Sequence, residues 1–388
     1  MSTPATPANF GFGEEEEMLR DLARKFLDDN MPVETLRKLV AEAPEPVYDE
    51  GQRARWDEAL WKKIVELGWT GLAVGENEGG ANISMVGIAA LVEEVGRHAL
   101  PSPLIATLGS ALVLRAAETE TARQLLARIA GGATASLAIT PETGSWEPAD
   151  CPLVASREEA ELVLDGVAHF VQDAFKADFF LVSARLEDEK VLCHLPAETP
   201  GLVLDQDHIH DLTRDQATLR LSGVRIPDAN IVCAAGDDVL RQAWPALLVL
   251  VSADLCGSSE WQLQTTVEYA KNRKQFDRPL GFFQAVKHPL VNAMTEIDRA
   301  RSLLYHAASS VDSGSPDAEQ AARMAKSAAS DAGAFISDRS VQLHGGIGFT
   351  WECDVHIFFK RSMHNQALLG DGVHQRRKLA DLLIGPIA

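Results

Sequence analysis

Arg273-Lys-Gln-Phe-Asp-Arg-Pro-Leu-Gly-Phe-Phe-Gln284, with His288 just beyond it, and Val341-Gln-Leu-His-Gly-Gly-Ile-Gly-Phe349 farther along are the stretches that decide how this chain reads. In the first, Arg273 offers a planar fork of donors suited to a pyrophosphate, Gln275 and Gln284 can bond ribose or phosphate oxygens, and Phe276 can cover an adenine face. In the second, Gly345, Gly346 and Gly348 let backbone amides approach a phosphate closely, and Gln342 adds a side-chain donor. Alone, a glycine pair is a helix cap and an arginine a solvated charge. Together and in this order they point to a dinucleotide.

Helical spacing surrounds both stretches. Val286, Leu290, Met294, Ile297 and Leu304 mark one face of a long helix after Pro279, and an alanine-rich helix is expected from Asp317 to Leu343, stopping at Gly345-Gly346. Asp312 to Pro316 between them reads as a flexible linker. Upstream, from Ala133 to Val232, the pattern shortens to strand-like runs at Ala135–Thr140, Glu161–Val171, Phe179–Arg185 and Thr218–Ile226. A small barrel or sandwich is their expected closure. Farther upstream the spacing is helical again: Leu19, Leu22 and Phe26 follow a run of glutamates, and further helices are expected at Trp56–Leu67 and Ile83–Arg97. The chain therefore reads as mainly α with a middle β-domain, divided at 1–132, 133–235 and 236–388.

Bulk properties bound the function. With 388 residues and 46% hydrophobic content the chain has material for two or three cores. A formal charge of -20 repels phosphate backbones and anionic bilayers, so neither nucleic acid nor membrane is an expected partner. Any multiply anionic ligand must be met by locally gathered basic groups. Cys151, Cys193, Cys233, Cys256 and Cys353 lack metal or redox pairing and read as reduced thiols. No apolar run reaches the roughly 18 residues a membrane span needs, and Met1–Glu17 holds no basic residue for a leader, so a cytoplasmic address is expected.

The two motifs resemble Arg-x-Gln-Phe-Gly-x-Pro-(Ile/Leu)-x-x-(Phe)-Gln and Gln-x-x-Gly-Gly-x-Gly of the acyl-CoA dehydrogenase family, and the helix–strand–helix order agrees. The resemblance implies an N-terminal helical domain, a β-barrel or sandwich and a C-terminal four-helix bundle, with FAD as cofactor. In that family both segments grip the ADP half of FAD, the first from a neighbouring subunit. Leu137-Ala-Ile-Thr-Pro-Glu-Thr-Gly-Ser145 is similar to the family stretch Thr-Glu-Pro-x-x-Gly-Ser-Asp, with Pro141 and Glu142 transposed and Trp146 in place of the acid. It implies that Thr140 and Ser145 hold the isoalloxazine edge or the phosphate arm. Phe170-Val-Gln172 stands where the family prefers Trp-Ile-Thr beside the ring, so Gln172 alters the usual contact near the reactive nitrogen. Asp211-Leu-Thr-Arg214 matches the loop before the last strand and reads as a salt-bridged surface turn.

Desaturating an acyl thioester requires a base for the α-proton and donors for the thioester oxygen. Most family members place a glutamate after a Tyr-Arg-Asp-Ala segment; set on Phe359-Lys-Arg-Ser362, the spacing puts Leu369 there, which retains only its backbone amide as a donor. The alternative glutamate position, early in the helix before Arg273, falls on Leu247, with Leu248 where an arginine is common. Asp371 is the nearest substitute base, and a helix-capping aspartate is its rival reading. Asp254, about 10 Å of helix past Leu247, is a weaker one, and His364 and His374 remain in reserve. The resemblance thus implies an acyl-CoA substrate, an electron-transfer flavoprotein or similar acceptor, and a homo- or hetero-tetramer. It implies FAD-dependent α,β-desaturation by this chain alone or as one subunit; the alternative is a non-catalytic, flavin-holding or scaffold subunit lacking the base.

Overall fold

The computed structural model describes residues 9–41, 56–148 and 150–385; residues 1–8 of the stretch read for a leader lie outside them. Among the described residues six α-helices come first: α1 (Glu14–Asn30), α2 (Val33–Ala41), α3 (Glu58–Glu66), α4 (Met85–Arg97), α5 (Leu104–Ala117) and α6 (Glu120–Ala130). Their starts are chemically marked. Four glutamates fill the first turn of α1, where the helix dipole favours them, and Asp57, Ser84 and Thr119 accept backbone N–H bonds at the heads of α3, α4 and α6. The buried stripe of α1 is Ala23 and Leu27, whereas Leu22, expected on that face, is exposed.

Eight strands follow: β1 (Ala135–Ala138), β2 (Leu153–Glu158), β3 (Glu161–Gln172), β4 (Phe179–Leu186), β5 (Glu189–Pro196), β6 (Leu202–Gln206), β7 (Gln216–Pro227) and β8 (Ile231–Cys233). They form one mixed sheet in the order β6-β7-β3-β2-β4-β5-β8, with β1 laid parallel to β4. The sheet has its own core, including Leu164, Phe180, Val182 and Leu219. β3 and β7 pair from Glu161↔Pro227 to Gln172↔Gln216, but the register shifts between Ala168 and Val171. Phe170 lies in that irregularity with φ +57. Such bulges re-aim side chains, and this one lies at the end of β3 that reaches the candidate site.

The C-terminal domain begins with α7 (Gly236–Asn272), followed by a tight hairpin of β9 (Lys274–Gln275) and β10 (Arg278–Pro279), then α8 (Gln284–Asp312), α9 (Ala318–His344), α10 (Val355–Ala367) and α11 (Gly372–Ile384). α9 packs against α7, α8, α10 and α11. At 37 residues α7 is about 55 Å long. Against the sequence expectation, it contains a stretch long and apolar enough to cross a membrane, but 89% of that stretch is buried inside the protein, as befits a core helix. α4 and α7 cross at backbone contact: a Cβ at Gly257 would stand 1.8 Å from the Glu93 carbonyl oxygen, and one at Gly96 2.2 Å from that of Asp254.

The expected linker at Asp312–Pro316 is tied down. Asp312 ends α8, and its carboxylate accepts from the backbone N–H groups of Met85 and Val86 at 2.6 and 3.1 Å, closing the head of α4. A local reading sees only small polar residues there, because the partner of Asp312 is more than two hundred residues away in the chain. All five cysteines are free thiols.

Candidate functional site

A cavity of about 80 Å³ lies where α5, α7, β1, the bulged end of β3 and the turn between α10 and α11 meet. Its apolar wall includes Ile105, Gly109, Leu247, Leu250, Val251 and Leu369, and its polar wall Ser136, Thr140, Gln172 and Arg214. Leu247 and Leu369, the two leucines that the resemblance sets at base positions, are both in this wall. Among the described residues, no aspartate, glutamate or histidine lines the cavity; Arg214 is the ionisable side chain that does.

Thr140, Phe170, Gln172 and Leu369 come together here as the sequence suggested. Phe170 and Trp146 set their rings 5.4 Å apart at 34° on one side. The amide of Gln172 is fully engaged. Its Nε2 donates to Gln216 Oε1 at 2.7 Å and to the Phe170 carbonyl at 3.0 Å, while its Oε1 pairs with His364 Nε2 at 2.8 Å. Burial holds the His364 imidazole below its usual range, and because Gln172 Oε1 can only accept, Nε2–H is the donor of that pair. Ser145 stands outside the wall: its Oγ accepts from the Glu147 N–H at 3.2 Å.

Every substitute base is engaged elsewhere. Asp371 is exposed and caps α11, accepting from the His374 N–H at 2.8 Å, so its place is that of a helix cap. His374 Nε2 pairs with Glu147 at 3.0 Å. Asp254 is wholly buried between Arg361, at 2.9 and 3.1 Å, and Arg214, with Asn365 donating at 2.6 Å. Burial alone would raise its carboxyl, but the Arg361 and Arg214 guanidinia hold it below the usual carboxylate range, which makes it a poor proton acceptor, and it does not line the cavity.

The Asp211–Arg214 turn is not on the surface. Asp211, Thr213 and Arg214 are all buried; Arg361 Nη1 donates to Thr213 Oγ1 at 2.8 Å, and Arg214 joins Asp254. The polar composition that suggested solvent belongs instead to an ion cluster behind the cavity, completed by Asp173, Lys176 and Asp215. Reading residue types missed Arg361 and Lys326, although each interrupts an apolar or alanine-rich helical run. A cation in such a run is the signal that marks them.

The other motif residues gather far from the cavity. Arg273, Gln275, Phe276 and Gln284 are exposed on the β9–β10 hairpin and the head of α8; Phe276 and Asp277, both with positive φ, make its tight turn. Gln342, Gly345 and Gly346 are exposed at the end of α9. Tyr269 stacks on His344 at 4.3 Å, so the ends of α7 and α9 are neighbours and present both motifs from one end of the bundle. Gly345 has φ +65, and nothing stands within 4 Å of a Cβ at Gly345 or Gly346. Gly348 differs: it is buried, and a Cβ there would meet the Val341 carbonyl at 2.8 Å, so it serves packing. Between Leu247 in the cavity wall and Arg273 lies about 39 Å of α7.

Comparison with known proteins gives consistent matches. Residues 13–133 match the acyl-CoA dehydrogenase N-terminal domain and residues 249–384 the acyl-CoA dehydrogenase C-terminal domain. Acyl-CoA dehydrogenase IpdE2 of Mycobacterium tuberculosis is 30% identical over 362 residues, spanning 92% of this chain and 93% of its own. A variant of the Tcur3481-Tcur3483 steroid ACAD superposes with a TM-score of 0.85 at 29% identity, over 96% of this chain and 98% of the other. The ChsE4-ChsE5 complex of Mycobacterium tuberculosis gives 0.86 at 25% identity, over 98% and 100%.

Proposed function

Because the chain belongs to the acyl-CoA dehydrogenase family, we propose that it serves the α,β-desaturation of a bulky, steroid-type acyl-CoA as one subunit of a hetero-tetramer, gripping FAD whose ring sits in a homologous partner that supplies the base. When bound, FAD would supply the hydride acceptor for oxidation at the β-carbon. The residues present fit that cofactor. Arg273, Gln275, Gln284 and Gln342 are exposed donors in a chain of strongly negative charge, Phe276 is 88% exposed, and Gly345 and Gly346 leave open the space side chains would fill. Arg273 would hold the pyrophosphate and Phe276 the adenine, as positions matched to the family's motif.

The observation that carries the division of labour is the separation of parts. A cavity without a carboxylate or imidazole lies about 39 Å of helix from the hairpin bearing Arg273, so the hairpin serves a ring seated in another protomer. The names of the steroid ACAD and of the two-component ChsE4-ChsE5 complex support both a bulky acyl group and a two-chain assembly. Electrons then pass to an electron-transfer flavoprotein or a similar acceptor. A scaffold role without any flavin contact is not favoured, since the exposed phosphate-binding set would then have no use.

The test is co-expression with a homologous chain that carries the glutamate. The pair is expected to bind FAD and to bleach it anaerobically when given a steroidal thioester, while this chain alone does not. Arg273→Met in this chain should lower the flavin content of the pair about tenfold, the loss of one charge-assisted phosphate contact. Full bleaching by this chain alone, or unchanged flavin content with Arg273→Met, would refute the proposal.

A further inference from the structure

The segment that links β1 to β2 runs past the small cavity as a strap. Its ends are fixed: the His169 N–H of β3 donates to the Thr140 carbonyl at 2.9 Å, and Leu153 enters the sheet opposite Gly166. Between them the described backbone bonds only to itself, the Gly144 N–H to the Pro141 carbonyl and the Asp150 N–H to that of Glu147. Such a segment depends on its side chains for its place. Trp146 is one of them: it stands in the cavity wall, its ring 5.4 Å from that of Phe170. Phe170 is itself held, since its carbonyl accepts from Gln172 Nε2 at 3.0 Å.

The next residue, Glu147, reaches across to the C-terminal domain. Its carboxylate pairs with His374 Nε2 of α11 at 3.0 Å and meets Arg323 of α9 at 3.4 Å and Lys378 of α11 at 3.6 Å. Among the described residues from 141 to 150, no other side chain makes a hydrogen bond or ion pair outside the strap. The seat is firm, because Arg323 is 3% exposed and Glu319 and Gln375 hold the rest of its guanidinium. Burial alone would raise the Glu147 carboxyl, but His374, Arg323 and Lys378 hold it below its usual range. Size shows what the seat controls. At about 80 Å³ the cavity is far below the roughly 300 Å³ at which small-molecule sites begin. Its α5 and α7 walls are packed on each other, with the Leu247 side chain 3.2 Å from where a Cβ at Gly109 would lie. Trp146 is the largest side chain in the wall, and it rides on the least bonded segment.

We infer that the strap is a movable closure: Trp146 limits what the cavity admits, and Glu147, seated among His374, Arg323 and Lys378, is the positioning residue that keeps the indole in the wall. When the carboxylate leaves its seat, the indole moves out with the strap and the space it filled joins the cavity. The enlarged cavity takes a flat apolar group of about the size of indole. The closure belongs to this chain's own residues and does not depend on the two-chain assembly.

The experiment uses the full chain. Glu147→Gln keeps the shape of the side chain and removes its charge. Amide exchange of residues 141–150 should then rise about tenfold while that of α9 and α11 stays as it was, the effect of one lost charge-assisted contact. Acrylamide quenching of the Trp146 emission, taken as the difference from the same proteins carrying Trp146→Phe, should rise with it. Trp146→Ala should bind indole saturably, one per chain, which the unaltered chain should not. If Trp146→Ala does not fold, Lys378→Met, which removes one partly exposed arm of the seat, should give the same exchange and quenching changes at smaller amplitude. Unchanged strap exchange and quenching in Glu147→Gln overturn the inference, and so does Trp146→Ala that folds and takes up no indole. Exchange that rises throughout the protein, with a lowered denaturant midpoint, also overturns it, since Glu147 would then be an ordinary structural ion pair.

Discussion

Replacing Asp254 with asparagine removes one charge and no volume, and the surroundings set the size of the effect. The carboxylate is wholly buried and faces two guanidinia that are themselves buried, Arg361 through Nε and Nη2 at 3.1 and 2.9 Å and Arg214 through Nη2. Arg361 keeps Thr213 Oγ1, and Arg214 keeps Asp173 at 3.7 Å, so neither cation is left bare. Breaking one buried pair costs about 3–5 kcal/mol, and because both arginines share this acceptor their losses do not simply add. A destabilisation of about 3–5 kcal/mol is expected, read as a lower denaturant midpoint at unchanged slope. The carboxyl is held below its ordinary range in the folded protein, so its contribution is complete above the unfolded value and disappears as pH falls through the folded one. The gap between the two proteins should therefore stay constant near neutrality and close only in acid. A loss under about 1 kcal/mol, or a gap that closes above pH 5, would show that the arginines are not held by this charge.

Three further outcomes follow from the same geometry. Asp371→Ala should cost about 1 kcal/mol through the lost cap of α11 and leave flavin bleaching by the complex unchanged; a bleaching rate that falls with it would restore Asp371 as the base. Leu369→Glu places a carboxylate in the wall of a cavity that, on the proposed division of labour, faces no flavin ring of its own, so the complex should still bleach one flavin per partner subunit and this chain alone none; a second bleached flavin per pair would contradict that division. Lys326, pushed by burial from an ordinary value of 10.5 to about 7, binds fewer protons folded than unfolded between those limits, so stability should rise with pH across that window by at most about 1.4 kcal/mol per unit. Lys326→Met should lack this slope, and parallel stability curves for the two proteins would contradict it.

The sequence carried the architecture because each domain declares its own period. β3 was expected at Glu161–Val171 and runs Glu161–Gln172; the alanine-rich helix was expected at Asp317–Leu343 and runs Ala318–His344. Leu22 shows the limit of the method: in a helix with several leucines, spacing alone does not say which ones the neighbouring helices cover. In the site, Thr140, Phe170, Gln172 and Leu369 were legible because their roles attach to motifs at fixed offsets. Arg214 and Lys326 were not, because what they do depends on contacts made across forty or more positions of chain, such as Arg214 to Asp254 and Lys326 to Gly370. The capping role of Asp371 was open beside its catalytic one, and only the direction of its carboxylate separates them.

The crossing of α4 with α7 has a mechanical corollary. With Gly96 and Gly257 bringing the two backbones into contact, no methyl group separates the N-terminal and C-terminal helical domains at that point, and neither helix can slide without collision. The helical domains therefore act as one anvil. Any adjustment of the cavity's width then falls to its sheet side, where the Phe170 bulge and Trp146 stand in the wall beside β1.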